Sequence, residues 1–562
     1  MTIIGINNTH DASCCLVSDG AIVADVQEER FTRIKHSADF PLNSLIYCLS
    51  AANIRDINSV DAISIASTKL SPEAEALFGL NSLRTYPSNR GSQMSIKPPL
   101  YFPALQIADT NKVKFVQHHL AHAASAYFTR SSQDPCLIFT LDGVGNSIST
   151  AVWKGEKGNI SLLKAYGTEA SVGWAYSAVT EALGWQHGDG EGTTMGFAPY
   201  GTYKDCIGVL DQYFPGIKGV NLVKKAELGR PYRWDQSGAV HWHLEESRDI
   251  AILCEKYGRA NIAAEAQRKL EEVVLELVYG WLSLTGLRRA AFAGGIFLNV
   301  KLNQKIWSAR RTLLIEQHIY PNPGDSGLAA GAALYEYYNK SDLRPRSLYT
   351  LSLGPKYSRE EILSTLQQRN LSHFAQNDPS LSAAQLLSQG AVVGWYNGRM
   401  ESGPRALGNR SILMAPTPLE NKSIINSKVK FREQFRPFCP TILWEKRDEY
   451  LLDARDEYFM ITSFDVNPEQ LSSLAAVTHI DGTIRPQMVK KEINAVYWRL
   501  IFNFGQLTGI YAVMNTSMNI KGEPIVNTPR EALKLFFDSG MDALFLEDIL
   551  LLKDADRWKD IL

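Results

Sequence analysis

The chain has 562 residues, enough for two or more domains with large cores. Apolar residues make up 45% and charged ones 21%, ordinary for a globular protein, and a formal net charge of −1 gives no global field to draw in nucleic acid or an anionic membrane. The start, Met1-Thr2-Ile3-Ile4-Gly5-Ile6, lacks the flank and apolar core of a signal peptide, no apolar run reaches membrane-spanning length, and the seven cysteines form no CxxC pair, so a reducing cytoplasm is expected.

Ile3-Ile4-Gly5-Ile6 reads as a buried strand and residues 13–27 as a hairpin turned at Ser18-Asp19-Gly20. Between them, Asn7-Asn8-Thr9-His10-Asp11-Ala12 is a polar loop on a rigid scaffold, a usual place for catalytic groups. The stretch 28–36 mixes acids with cations that suit a nucleotide triphosphate, or a solvated loop. Residues 42–54 and 119–130 read as helices, the second opened by the Ala-rich stretch that begins Gln117-His118-His119-Leu120-Ala121-His122. His118 and His122 are four apart and leave one helix face, a spacing that can clamp a metal; the same pattern also describes a polar face of satisfied histidines. No Glu follows His118, which excludes a zinc-protease HExxH.

Residues 136–145 repeat the opening theme: a buried strand runs into Asp142-Gly143-Val144-Gly145, and a second strand follows over 147–154. Two such units suggest a duplicated fold, the plan of an actin-like ATPase with nucleotide between its halves. The stretch 184–201 crowds glycines among acids, which suits close approach to a ligand or a mobile loop. Residues 260–284 form a long amphipathic helix. Ala290 to Ala293 is a strand that ends in Gly294-Gly295, where backbone amides and the Asn299 amide can meet a nucleotide. Asp325 precedes an Ala-rich helix at 328–338, where an N-cap is the common role.

A linker at 339–346 opens a second unit. Its strands at 391–396 and 511–517 flank stretches rich in Arg and Lys among Gly, Asn and Ser. Six cations there (Arg405, Arg410, Lys430, Arg432, Arg436 and Arg485) can converge on a small doubly charged anion, or each can serve a surface salt bridge.

Taken in order, His10-Asp11-Ala12-Ser13, Glu28-Glu29-Arg30, the His118/His122 pair, Leu141-Asp142-Gly143, the stretch 195–201, Gly294-Gly295, the stretch 403–411 and Asn515-Thr516-Ser517 resemble the antibiotic and nodulation O-carbamoyltransferases over nearly the whole chain. The resemblance implies an α/β chain of two domains. Residues 1–346 would be a duplicated actin-like ATPase domain, similar to the tRNA threonylcarbamoyltransferase fold, and residues 347–562 a YrdC-like domain. It implies that the second domain releases carbamate from carbamoyl phosphate and ATP activates it as carbamoyladenylate, and that the first passes the carbamoyl group to an acceptor hydroxyl. By position, His118, His122 and Asp325 match ligands of iron(II), with Asp142 beside them, and His10 matches the catalytic histidine. Lys35, Gly295, Asn299 and Ser326 match nucleotide contacts. Arg405, Lys430, Arg436, Arg485 and Asn515 match the carbamoyl phosphate site. The implied partner is a small-molecule hydroxyl acceptor, probed best among sugars and polyols of secondary metabolism, with neither nucleic acid nor membrane involved. Thr193 stands where relatives often carry Lys, and Ser402 and Cys439 replace commoner apolar residues, which bears on the acceptor contacts and not on the reaction type.

Three other readings compete. A hydrogenase-maturation carbamoyltransferase carries zinc-binding CxxC pairs, an acylphosphatase unit and the reverse domain order, none of which is read here. Threonylcarbamoylation of tRNA fits poorly with a net charge of −1. A non-catalytic actin-like regulator does not need the cation-rich stretches of the second unit.

Overall fold

The computed structural model describes residues 1–67, 105–223, 233–234, 240–241, 244–341 and 346–561. Residues 342–345 of the expected linker lie outside the described residues.

Strands β1 (Thr2–Asn7), β2 (Ser13–Ser18), β3 (Ala21–Gln27), β4 (Ala62–Ile65) and β5 (Val113–Phe115) form one sheet in the order β3-β2-β1-β4-β5. The first three pair antiparallel, and β4 and β5 add in parallel. Strands β6 (Cys136–Gly145), β7 (Ile148–Glu156), β8 (Asn159–Gly167), β9 (Arg289–Ala293) and β10 (Glu316–Ile319) form a second sheet in the order β10-β9-β6-β7-β8. Its antiparallel meander and two parallel additions repeat the first sheet pair for pair. The chain is therefore duplicated at the level of topology, and β1 and β6 are the equivalent central strands. Each runs into a polar turn at the same end, which is why the two motifs look alike in sequence.

Small residues bring the layers together. Helix α1 (His118–Phe128) and helix α2 (Leu328–Tyr338) pack on each other, α1 on β6 and β9 of the second sheet and α2 on β1 and β2 of the first. A Cβ on Gly331 would lie 1.9 Å from the Ala121 carbonyl oxygen, and one on Gly5 would lie 1.9 Å from that of Ala329. Neither glycine can carry a side chain. This close approach sets the N-terminal turn of α1, with its histidines, beside the turn that leads into α2, with Asp325.

The second domain is an α/β unit on one mixed sheet of eight strands: β11 (Phe374–Ala375), β12 (Val393–Tyr396), β13 (Arg410–Met414), β14 (Cys439–Leu443), β15 (Gln487–Val489), β16 (Ala512–Ser517), β17 (Ala543–Leu546) and β18 (Ile549–Leu552), in the order β11-β18-β17-β12-β13-β16-β14-β15. It is tied to the first domain by charged side chains on carbonyls. Arg30 donates to the Gly403 oxygen at 2.7 Å, and Arg33 to the oxygens of Pro524 and Ile525, both at 2.7 Å. Asn303 donates to the Ile461 oxygen at 2.7 Å. Thus Arg30 and Arg33, two of the cations read as candidates for a nucleotide, hold the domains together. Glu28 instead caps the helix Leu42–Ala51, accepting from the backbone of Asn43 and Ser44 at 3.2 and 2.8 Å. Among the described residues no helix is long and apolar enough to cross a membrane. All seven cysteines are buried thiols.

Candidate active site

The central cluster is built by α1, the end of β6 and the entry to α2. The rings of His118 and His122 meet edge to face on one face of α1, their centroids 4.8 Å apart. The His122 Nε2 lies 3.2 Å from Asp142 and 3.4 Å from Asp325, and the His118 Nε2 lies 3.5 and 3.6 Å from the same two carboxylates. The four ligand atoms fall within 4.8 Å of one another. Glycines clear the space. A Cβ on Gly145 would sit 2.1 Å from the His118 ring, and one on Gly294, at φ 104°, 2.0 Å from the Leu141 oxygen beside Asp142. Asp325 does not cap α2; its carboxylate turns into the cluster. His119, between the pair in sequence, faces the sheet. It bonds to Thr140 and to the Ile148 oxygen, and burial holds it neutral, with its pKa down at about 3.

Two imidazoles and two carboxylates are the donor set of a divalent transition metal. The His118 Nε2 is buried with no hydrogen-bond partner, as expected of a nitrogen kept for an ion. Burial works against charge on His122, but its hydrogen bonds to Asp142 and Asp325 outweigh it and lift the pKa to about 9. The carboxylates therefore make this cluster a strong cation site.

His10 stands at the lip of the cluster with 64% of its side chain open to solvent. Its Nε2 is 3.0 Å from Asp325 and its Nδ1 is 3.1 Å from Asp11. The field of Asp325 raises its pKa well above the ordinary value, with the hydrogen bonds to Asp11 and Asp325 adding. An unperturbed, largely neutral imidazole is what the loop alone suggests; the flanking carboxylates are the reason that expectation fails. Asp11 and His36 both adopt positive φ, 57° and 55°, to bond at 2.7 Å. Lys35 pairs with Asp189 of the glycine-rich stretch. Asp11, His36 and Asp189 were not singled out by the sequence, because their pairing spans three separate loops.

Gly295 lies under Asp142, where a Cβ would be 3.1 Å from its Oδ1. The Asn299 amide is engaged: it caps the helix Val300–Ser308 and exchanges hydrogen bonds with Gln267 at 2.9 and 3.1 Å. Ser326 donates to Asn322 at 2.6 Å.

The second cluster lies in the other domain. Arg405, Arg432, Arg436 and Arg485 face one another, with Lys430 in their field. Burial and Arg485 draw the Arg405 pKa down to about 9, and burial and Arg436 draw that of Arg432 to about 9. Guanidinium groups remain charged under such conditions, so the shifts register unbalanced positive charge. Burial, then Arg432 and Arg436, lower Lys430 in the same way, and its Nζ is tied to Ser517 and Asn519. Arg485 donates through two nitrogens to the Cys439 sulfur at 3.0 and 2.8 Å. Arg410 does not belong here. It is fully buried, donates to backbone carbonyls and lies 3.6 Å over the Tyr396 ring, so it is a structural cation. Asn515 donates to Thr441 at 3.0 Å and to the Ala406 oxygen at 3.2 Å, while its own Oδ1 and the Arg405 Nε are buried without partners.

The sequence matches the families described as Carbamoyltransferase N-terminus over residues 2–334 and Carbamoyltransferase C-terminus over 384–553. The chain belongs to the carbamoyltransferase family. An uncharacterized protein of Synechocystis is 34% identical over 99% of this chain and 98% of its own length. The nodulation protein NolNO of Sinorhizobium fredii is 33% identical over 97% of this chain and 79% of its own. Nodulation protein U of the same species is 27% identical over 93% of this chain and 94% of its own. The first family segment carries the histidine–carboxylate cluster and the second carries the cation cluster, so this carbamoyltransferase spreads its two polar centres over both.

Proposed function

We propose that the chain is an ATP-dependent O-carbamoyltransferase whose two centres work in sequence. Residues 347–562 take carbamoyl phosphate and form carbamoyladenylate with ATP; residues 1–346 transfer the carbamoyl group to a hydroxyl of a small molecule, a sugar or polyol of secondary metabolism. The observation that carries this reading is the pattern of unpartnered atoms in the second centre. Unbalanced guanidinium groups with a spare Arg405 Nε suit a phosphate dianion, and the spare Asn515 Oδ1 suits the N–H of a carbamoyl amide. A phosphate alone needs no such acceptor.

Arg405, Arg436 and Arg485 hold the phosphate in this account, and Arg485 exchanges the Cys439 sulfur for it. Lys430 contributes charge through space, since its ammonium is already tied to Ser517 and Asn519. In the first centre Lys35, Gly295, Asn299 and Ser326 receive the nucleotide. His118, His122, Asp142 and Asp325 hold the metal, assigned as iron(II), which when bound supplies positive charge for the phosphate oxygens. His10 takes the proton of the acceptor hydroxyl. Asp11 fixes its tautomer by accepting from Nδ1–H, and Nε2 would take that proton once a metal ion on Asp325 offsets the carboxylate that now holds it. The names of the nodulation relatives support a small-molecule acceptor, and the cytoplasm is the assigned location. The test is incubation with ATP, carbamoyl phosphate and a panel of hydroxyl acceptors, read by mass spectrometry. A carbamoyl gain on one of them, dependent on both co-substrates, is expected. ATP turnover that ignores carbamoyl phosphate would sink the reading.

A further inference from the structure

We propose that His36 is a positioning residue of the transfer centre: it holds the Asp11 carboxylate in the orientation that presents an acceptor to the His10 ring. The inference rests on the reading of His10 as the transfer base.

Every link is a direct contact. The His10 side chain is mostly open to solvent and has two anchors, Asp325 at Nε2 and Asp11 at Nδ1. Once Nε2 turns to the acceptor hydroxyl, Asp11 is the tether that remains. An ionised carboxylate only accepts, so both imidazole nitrogens that face Asp11 carry hydrogens. Its Oδ2 takes the His10 Nδ1–H at 3.1 Å and its Oδ1 takes the His36 Nδ1–H at 2.7 Å. An aspartate carboxylate turns easily about its last bond. His36 engages one oxygen at the shorter distance and so fixes the plane in which the other lies.

His36 is itself held from several sides. Its backbone amide donates to the Glu29 Oε2 at 3.0 Å. Glu29 pairs with the buried Arg30 at 2.9 Å, and Arg30 is anchored across the domain seam on the Gly403 oxygen. The His36 Nε2 lies 3.9 Å from Asp189. On the other loop, Asn7 donates through one amide nitrogen to the oxygens of His10, Asp11 and Asp325 at 3.1, 3.2 and 3.0 Å. The backbone supplies a second, independent sign. Asp11 and His36, the two members of one hydrogen bond, both stand at positive φ. That conformation is uncommon for a residue with a side chain and persists where the surroundings enforce it. Returning either residue to negative φ would redirect its Cβ and part the pair. The pair is not needed merely to join the loops, because the Ala12 amide already donates to the Ser37 oxygen at 2.9 Å. What it adds is the setting of the carboxylate.

Two variants test this in the full chain. His36→Gly accepts the positive φ without strain and removes the donor. His36→Asn also tolerates that conformation and places an amide N–H where Nδ1 stands. The substrates are ATP, carbamoyl phosphate and those sugars and polyols that gain a carbamoyl group in the panel above. In His36→Gly the transfer rate at saturating acceptor should fall roughly tenfold, short of the loss expected on removing the base itself, while the acceptor KM changes by less than about twofold. Pyrophosphate release should continue. His36→Asn should bring the rate back to within about threefold of the natural chain. Crystal structures of the two variants should show the His10 ring off Asp11 in the first and on it in the second. Full transfer in His36→Gly, or no recovery in His36→Asn, would overturn the inference. Pyrophosphate release lost together with product would place His36 in nucleotide binding beside Lys35, and overturn it as well. Transfer that His10→Asn leaves untouched, or a panel in which nothing is carbamoylated, would overturn the reading of His10 itself and the inference with it.

Discussion

The two centres solve opposite charge problems. In the first, two histidines stand against two carboxylates within 3.6 Å, and hydrogen bonds to those acids outweigh burial and lift the pKa of His122. In the second, four guanidinium groups and an ammonium share one region with Glu433 at its margin, and burial and the neighbouring cations draw down the pKa values of Arg405, Lys430, Arg432 and Arg436. A balanced cluster is stable as it stands, and a metal ion there would take the place of protons. An unbalanced one stores repulsion that an anion relieves. Loss of one member should therefore do different things in the two places.

The largest effect is expected at the metal. His122→Ala leaves a single imidazole and two facing carboxylates, so metal affinity should fall by well over about a hundredfold, beyond the upper end of what outer-shell changes cost, and bound iron should be lost. Elemental analysis of the purified variant decides it; a full metal complement would show that the cluster is only an ion-pair network. Next in size is His10→Asn, which keeps the shape and removes the base. Carbamoylated product should drop on the order of a hundredfold, the range of general base catalysis, while pyrophosphate release from ATP with carbamoyl phosphate continues. If both signals vanish together, His10 belongs to nucleotide binding.

The second centre should answer more gently and with the opposite sign in stability. Arg405→Ala removes a charge-assisted partner worth roughly 1.5–3 kcal/mol, so carbamoyl phosphate should bind one to two decades more weakly. The ligand-free variant should melt no lower than the natural chain, because a repelling cation has gone. Inorganic phosphate at about a hundred times its Kd should stabilise the natural chain by about 2.7 kcal/mol, and Arg405→Ala far less. A variant that lost stability as well as affinity would mean that the cations are balanced after all.

The same contrast explains what could be read without coordinates. The histidine pair was legible because four residues is one helical turn, and the duplication because β1 and β6 repeat a strand and a turn. Asp325 was reached through resemblance alone; its position before a helix argued for a cap, and only the packing of Gly331 on Ala121 shows why it faces the histidines instead. Counting cations over-reached at Arg410, since composition cannot distinguish a guanidinium that lies on Tyr396 from one that faces a ligand. The amide of Asn299 is hydrogen-bonded to Gln267, a residue 32 positions away, and no local pattern announces that. Asp11, His36 and Asp189 form a chain of contacts across loops and leave no periodic trace.

The smallest expected effect lies on the seam between the domains. Asp25, at the end of the first sheet's hairpin, is fully buried and accepts from the Ser402 hydroxyl at 2.6 Å, while its Oδ1 has no partner. Burial lifts its pKa from 3.8 to about 7, with the Ser402 hydrogen bond opposing. The sign follows from proton counting. Between those two values the folded chain keeps a proton that the unfolded chain has released, so this group's contribution to stability declines as pH rises across the window. Above it, the folded seam carries an ionised carboxylate with an empty acceptor in a dry setting. Asp25→Asn keeps the shape and cannot ionise. Its melting temperature should exceed that of the natural chain by a few degrees, about 2–4 °C for each kcal/mol recovered, at pH 8, and the gap should close toward pH 5. Reading the difference between the two proteins at each pH cancels every other titrating group. A gap that stays constant with pH would mean that Asp25 is ionised throughout, and that the seam, like the first centre, supplies it with a compensating charge.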